Sequence, residues 1–289
     1  MLVLSNLHHY GRLIRIERPI GSYLVLWPTL WALWIASEGL PDVKLLIIFV
    51  LGVFIMRSAG CAINDIADRN IDAHVERTRD RPIAAGNITL SEALAVFGVL
   101  LLLAFVLVLQ LNLLTILFSV GAAALAASYP FMKRYHHLPQ AYLGVAFSSA
   151  ILMAFTAVTN QFPPPGAWLL FTANLLWTTG YDTLYGMCDR EDDLKIGVKS
   201  TAILFGDYDR LWVSILQIST LVLLSIVGKL NALGIWFWLS LLLAAGLFAY
   251  QQYLIRDRDR LLSLKAFLNN NWVGMIIFIG IFLNYTTAR

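Results

Sequence analysis

Nine apolar runs govern what this chain can fold into: residues 20–37, 44–64, 91–109, 112–130, 139–159, 166–188, 211–229, 233–253 and 270–287. Each is long enough, at ~1.5 Å per helical residue, to cross ~30 Å of hydrocarbon. Hydrocarbon offers no partner to backbone N–H and C=O groups, so such runs have to be helical. The expectation is an all-α integral membrane protein of nine transmembrane helices, with residues 1–289 forming a single transmembrane domain. Composition agrees, since 59% hydrophobic and 13% charged residues leave more apolar surface than a water-soluble chain of this length can cover. Residues 1–19 set Arg12, Arg15 and Arg18 at helical spacing beside Leu7, Tyr10, Leu13 and Ile14, which reads as an amphipathic helix lying in the interface. No short apolar core with a small-residue cleavage site opens the chain, so a removed signal peptide is not expected.

Nine crossings put the termini on opposite sides. With the N-terminus cytoplasmic, only Lys44, Lys229 and Arg289 of the 21 Lys and Arg residues lie outside, a strong positive-inside bias. The acidic residues keep the same company, only Glu38 and Asp42 falling outside, and the net charge is just +3. A polybasic lipid anchor would not carry so many carboxylates. The outer connections are short turns, whereas the inner connections 65–90 and 189–208 are longer and polar, so function is expected on the cytoplasmic face.

The first inner connection begins Asn64-Asp65-Ile66-Ala67-Asp68-Arg69-Asn70-Ile71-Asp72. If the preceding helix continues, ~100° per residue gathers Asp65, Asp68, Asp72 and Glu76 into an arc of roughly 80°. Asp182, Tyr185, Asp189 and Asp193 repeat the same steps of 3, 4 and 4. Four crossings separate the two stretches, so both acidic faces return to one side and can meet across one cavity. Carboxylates at that density repel one another and call for a cation.

Hard oxygen ligands in two facing clusters favour Mg²⁺, which takes one or two carboxylates and is completed by substrate phosphates. Arg69, Arg77, Arg79, Lys133, Arg134, Arg190, Lys195 and Lys199 interleave with the acids. Acids alone suit a cation, whereas acids mixed with Lys and Arg suit a metal-bound diphosphate. With lipid-like helix surface around it, the site is expected to take an amphiphile with a diphosphate head. Isolated charges such as Asp80, Glu92, Asp207 and Asp259 read as solvated or paired. His8, His9, His74, His136 and His137 show no ligand spacing with a carboxylate. Cys61 and Cys188 lie in apolar context and read as packing residues. The absence of G-x-S-x-G, Walker A, G-x-G-x-x-G and C-x-x-C patterns leaves nucleophilic, nucleotide and redox-cofactor chemistry unsupported, and no nucleic-acid partner is expected.

Asn64-Asp65-x-x-Asp68-x-x-x-Asp72 with Arg77-Thr78-Arg79-Asp80-Arg81-Pro82, and Tyr181-Asp182-Thr183-x-Tyr185-x-x-x-Asp189-x-x-x-Asp193-x-Lys195-x-Gly197, resemble the two signatures of the UbiA-type intramembrane aromatic prenyltransferases. Arg18-Pro19-Ile20-Gly21, Arg57-Ser58-Ala59-Gly60-Cys61 and Tyr129-Pro130-Phe131-Met132-Lys133-Arg134 resemble the bacterial branch that acts on 4-hydroxybenzoate in ubiquinone synthesis. The resemblance implies a bundle around a central cavity in a bacterial inner membrane, C-terminus periplasmic, with Mg²⁺ held between the motifs. It assigns Asn64, Asp68 and Asp72 to the first metal set, Asp189 and Asp193 to the second, with Asp65 and Asp182 as partners. Asp68, Asp72, Asp189 and Asp193 are the catalytic carboxylates. Arg69, Lys133, Arg134 and Lys195 would hold diphosphate oxygens as charge grows on the leaving group. Arg57, seven residues before Asn64 on the same helical face, is the candidate for the acceptor's carboxylate.

The implied reaction is electrophilic aromatic substitution: polyprenyl diphosphate loses pyrophosphate, and the ring carbon ortho to the hydroxyl of 4-hydroxybenzoate attacks the allylic cation. Tyr185, Phe131 or Tyr129 would face that cation, and Asp189 or the departing pyrophosphate would take the ring proton. A cation transporter is the rival from another class. It would spread acids through the membrane depth, whereas here they lie on one face. A transferase for naphthoate, homogentisate or haem is the nearer rival.

Overall fold

The structure, a computed structural model, describes residues 3–70, 72 and 78–287. His74, Glu76 and Arg77, named above for the first inner connection, lie outside the described residues. Among those described, regular structure is helical: α1 (Leu7–Leu13), α2 (Ile20–Ala36), α3 (Val43–Asp68), α4 (Leu90–Val108), α5 (Leu113–Met132), α6 (Pro139–Thr159), α7 (Pro165–Ile196), α8 (Thr201–Phe205), α9 (Asp209–Leu230), α10 (Ile235–Leu254) and α11 (Arg260–Thr287). Local chemistry sets several of these bounds. The Asp42 carboxylate accepts from Lys44 N and Leu45 N to open α3, and Thr89 and Glu92 form a reciprocal capping box on α4. Gly197, left-handed at φ 71°, closes α7.

Among the described residues, seven helical segments are long and apolar enough to cross a membrane: α3, α4, α5, α6, the stretch Thr201–Leu230, the stretch Ile235–Asp257, and α11. Two of the nine expected crossings differ. The first, α2, has only 17 residues. The sixth, α7, does not stop at residue 188 but runs on to Ile196, taking its charged end with it. The expected loop 189–208 is therefore helical over its first part and again at α8.

The packed heart joins α2 and α7, which contact each other, with α6 and α11 each packed against both, α9 against α7 and α10 against α11. Trp31 and Trp177 are fully buried and stack at 5.3 Å between centroids. Their ring N–H groups need acceptors in an apolar interior. Trp31 donates to Gly274 O at 3.0 Å and Trp177 to Asn270 Oδ1 at 2.8 Å. A side chain at Gly274 would put its Cβ 2.7 Å from Trp27 and 2.8 Å from Trp177, so this crossing requires glycine. Three consecutive asparagines on α11 fan out to three helices: Asn269 accepts from Gln251 of α10, Asn270 from Trp177 of α7 and Asn271 from Trp27 of α2. Such bonds fix rotation about the helix axes where apolar packing alone is permissive.

Helix α3 contacts α2, α4 and α5, and α4 leaves much of its surface outward, including Leu102, Leu103 and Phe105. Residues 3–19 do not form one continuous helix. Helix α1 ends at Leu13, which is fully buried against Ala62, Ile66, Ile88, Ala93 and Val96, and the chain then turns through Arg15 at φ 57°.

Candidate functional site

A cavity of about 1490 Å³ runs from the polar ends of α3 and α7 down between the helices. Asn64, Asp65, Asp68 and Asp72 of the first motif line it, as do Asp182, Tyr185, Asp189 and Asp193 of the second. Its deeper wall is apolar, with Phe49, Val53, Leu101, Phe105, Phe147 and Met153. A charged end continuous with an apolar end is the shape of a site for an amphiphile.

The two motifs reach the cavity by different means. In α7 the helix is unbroken from Asp182 to Asp193, so the 3, 4, 4 spacing is realised as a helical stripe. In α3 it ends at Asp68, and the projected stripe is corrected from there on. Arg69 Nη1 donates to Ile66 O and Arg134 Nη2 to Ala67 O, so two guanidinium groups sit on the carbonyl end of the helix, where positive charge is favourable. Asp72 then returns by the loop: Arg81 Nη1 lies 2.8 Å from Asp72 Oδ2 and 3.1 Å from Asp65 Oδ1, tying the two acids together. Burial pushes the Asp72 carboxyl above the usual carboxylate range, against the pull of Arg81.

The first motif is thus matched charge for charge. Arg15 Nη2 is 2.9 Å from Asp65 Oδ1, and Lys133 Nζ donates to Asp68 Oδ2. Among the described residues no three His, Cys, Asp or Glu side chains converge as a ready metal centre. One oxygen stands apart: Asp68 Oδ1 is buried with no hydrogen-bond partner among the described residues, Arg134 Nη2 lying 3.9 Å away. A buried carboxylate oxygen left without a donor beside Asn64 and Asp72 fits a hard divalent cation by donor type.

Arg57 projects from α3 into the same cavity, where its guanidinium lies over Gly21 of α2 in contact that leaves no space for a Cβ. Nη1 donates to Cys61 Sγ at 2.6 Å, while Nε is buried without a partner among the described residues. Its charge is felt by Asp182, Tyr129 and Tyr181. Cys61 therefore seats an arginine as well as packing. Tyr129 and Tyr185 line the cavity, Tyr185 braced by Phe267 at 5.0 Å.

Other expected contributors lie elsewhere. Lys195 is 73% exposed and pairs with Asp192 at 3.6 Å, off the cavity wall. Phe131 is part-exposed beneath the Arg134 guanidinium. Arg69 and Arg134 support the end of α3 rather than line the cavity. Conversely Arg15, Arg81 and Lys199 line it. Arg260, at the start of α11, reaches Asp192 at 3.0 Å and Asp189 at 3.8 Å. The signal for Arg81 was its place in the basic run after Asp72. Nothing in the order of residues marked Arg260.

A family model described as the UbiA prenyltransferase family matches residues 25–281. A protein of Saccharophagus degradans named 4-hydroxybenzoate octaprenyltransferase is 59% identical over 280 residues, covering 97% of this chain and 93% of that protein. The apo structure of a UbiA homolog from Aeropyrum pernix K1 superposes with a TM-score of 0.81 at 28% identity, covering 93% of this chain and 98% of that one. A UbiA homolog from Archaeoglobus fulgidus bound to GPP and Mg²⁺ matches in fold, with a TM-score of 0.69 at 18% identity, over 94% of this chain and 99% of that one.

Proposed function

Because the chain belongs to the UbiA prenyltransferase family, we propose that it transfers a polyprenyl group from polyprenyl diphosphate to the ring carbon ortho to the hydroxyl of 4-hydroxybenzoate, releasing pyrophosphate, in ubiquinone biosynthesis. The observation that carries this reading is the convergence of both acidic motifs on the charged end of a cavity whose remaining wall is apolar. The printed activity of the Saccharophagus relative supports it.

In this reading the apolar wall takes the prenyl tail and the charged end takes the diphosphate. Asn64, Asp68 and Asp72, with Asp189 and Asp193 opposite, would hold Mg²⁺, and Asp65 and Asp182 support them. The bound metal ion supplies positive charge that stabilises the departing pyrophosphate. Lys133, Arg15 and Arg81 add cationic groups at the same end, so negative charge on the leaving oxygens is met without rearrangement. Tyr129 and Tyr185 present ring faces to the allylic carbon as positive charge develops there. Arg57 holds the acceptor's carboxylate through Nε, the donor without a partner among the described residues, and so orients the ring. The carbon–oxygen bond to diphosphate breaks to leave the allylic cation, the ring carbon forms the new carbon–carbon bond to it, and the ring proton passes to Asp189 or pyrophosphate. The apolar surroundings keep water from the cation.

The chain is a multi-pass membrane protein. We place it in a bacterial inner membrane with α2 and α7 completing nine crossings, the motifs facing the cytoplasm and the C-terminus the periplasm, because the basic residues gather on that side. Product analysis tests the activity. Membranes carrying the protein, supplied with Mg²⁺, a polyprenyl diphosphate and a panel of hydroxybenzoate, naphthoate and homogentisate acceptors, should prenylate 4-hydroxybenzoate in preference. Preferential product from another acceptor, or cation flux in liposomes without prenyl transfer, overturns it.

A further inference from the structure

Glu92 stands outside the two motifs, yet it is only 5% exposed and accepts four side-chain or backbone donors. Oε2 takes Thr89 N and Thr89 Oγ1, both at 2.8 Å; the first of these, with Glu92 N donating to Thr89 Oγ1 at 3.3 Å, is the capping box that starts α4. A box of that kind employs one carboxylate oxygen. The other, Oε1, is committed far along the chain: Tyr10 Oη donates to it at 2.6 Å and Asn6 Nδ2 at 2.8 Å.

Both donors belong to the segment before α2. That segment is pinned further along by buried Leu13. It then passes through Arg15 in the left-handed region, a conformation that an arginine keeps only when its surroundings impose it. Held so, Arg15 Nη2 meets Asp65 at 2.9 Å and Arg12 Nη2 donates to Asp80 O at 2.9 Å, and both arginines line the cavity at its charged end.

We infer that Glu92 is a positioning residue: it latches residues 4–18 onto α4 through Tyr10 and Asn6, and thereby holds Arg15 at Asp65 to receive the diphosphate of the substrate. The ligand's identity rests on the prenyl-transfer reading, while the latch rests on the hydrogen bonds alone. Two measurements keep these apart. The first is trypsin cleavage after Arg12 and Arg15 in the purified full-length protein, followed by mass spectrometry. Tyr10→Phe with Asn6→Ala removes the strap's half of the latch and leaves the capping box intact, so cleavage should accelerate roughly tenfold, the loss of a charge-assisted hydrogen bond appearing as a larger open fraction. Magnesium pyrophosphate should slow cleavage of the unmutated protein. The second is steady-state kinetics. The same variant should raise KM for the prenyl diphosphate several-fold, and Arg15→Ala should raise it at least as far while also lowering kcat, since the leaving oxygens then lose a cation. Adding the latch substitutions to Arg15→Ala should then change KM no further, which a general loss of stability would not produce. Unchanged cleavage overturns the latch, and so does a KM effect that multiplies with that of Arg15→Ala. Faster cleavage without protection by magnesium pyrophosphate overturns the assignment of Arg15 to the diphosphate while leaving the latch standing.

Discussion

Replacing Gly21 with alanine is the smallest change that reaches the acceptor end of the site. The new methyl would fall on the Arg57 guanidinium, among its Nε, Nη2 and Cζ atoms, so the arginine head has to leave its seat between Gly21 and Cys61. If Arg57 holds the acceptor's carboxylate, the displacement removes a hydrogen bond between two charged groups, about 1.5–3 kcal/mol. At about 1.4 kcal/mol per decade this is roughly a 10- to 150-fold rise in KM for 4-hydroxybenzoate. The prenyl diphosphate binds at the other end, and its KM should move by no more than about twofold. Arg57→Ala should reproduce the pattern, and the methyl ester of 4-hydroxybenzoate, lacking the carboxylate charge, should lose the difference between wild type and variant. Initial-rate measurements varying each substrate at saturating levels of the other decide it. An unchanged KM for 4-hydroxybenzoate, or an equal rise for both substrates, refutes the assignment.

Other perturbations separate contributors from bystanders. Asp68→Ala and Asp189→Ala should each abolish turnover at saturating Mg²⁺ while the protein still inserts in membranes; retained activity in either would remove that residue from the metal set. Lys195→Ala should leave kcat and both KM values within about twofold, since its pairing with Asp192 is the exposed kind worth ~0–1 kcal/mol; a loss of tenfold or more would return Lys195 to the diphosphate. Asn270→Leu strips Trp177 of its acceptor in the packed heart, so a destabilisation of about 1–3 kcal/mol is expected, read as a lower Tm in detergent with activity preserved well below it; an unchanged Tm would mean the bond contributes nothing net.

The helices were legible because hydrocarbon imposes a length and a composition on whatever crosses it, and the runs of α3–α6 and α9–α11 met both. What lay beyond that rule was harder to read. The helical stripe was sound for α7, where no terminator intervenes before Gly197, and failed past Asp68, because Arg69 and Arg134 take the last carbonyls of α3 from outside the helical repeat. Arg15 looked like one of three arginines facing lipid headgroups. Periodicity carries no information past a left-handed residue, and the turn there sends it to Asp65 instead. Lys195 belonged to the signature but lies two residues past Asp193, ~200° round the helix, which puts it on the outer side of α7. Asn269, Asn270 and Asn271 gave no hint of three separate partners, since a polar residue in an apolar run announces only that it needs one. The two aspartate motifs were readable for the opposite reason: concentrated charge beside a membrane span has few uses, and their matching register pointed to a shared site.

The central claim is that the two motifs act together on one leaving group, and coupled product stoichiometry tests it most directly. Purified protein in lipid, given Mg²⁺, a polyprenyl diphosphate and 4-hydroxybenzoate, should release one pyrophosphate for each ring-prenylated 4-hydroxybenzoate formed, with both products lost on chelation of the metal and lost together in Asp68→Ala and in Asp189→Ala. Pyrophosphate released without the aromatic acceptor at the same rate, or ring-prenylated product persisting in either variant, would contradict the account.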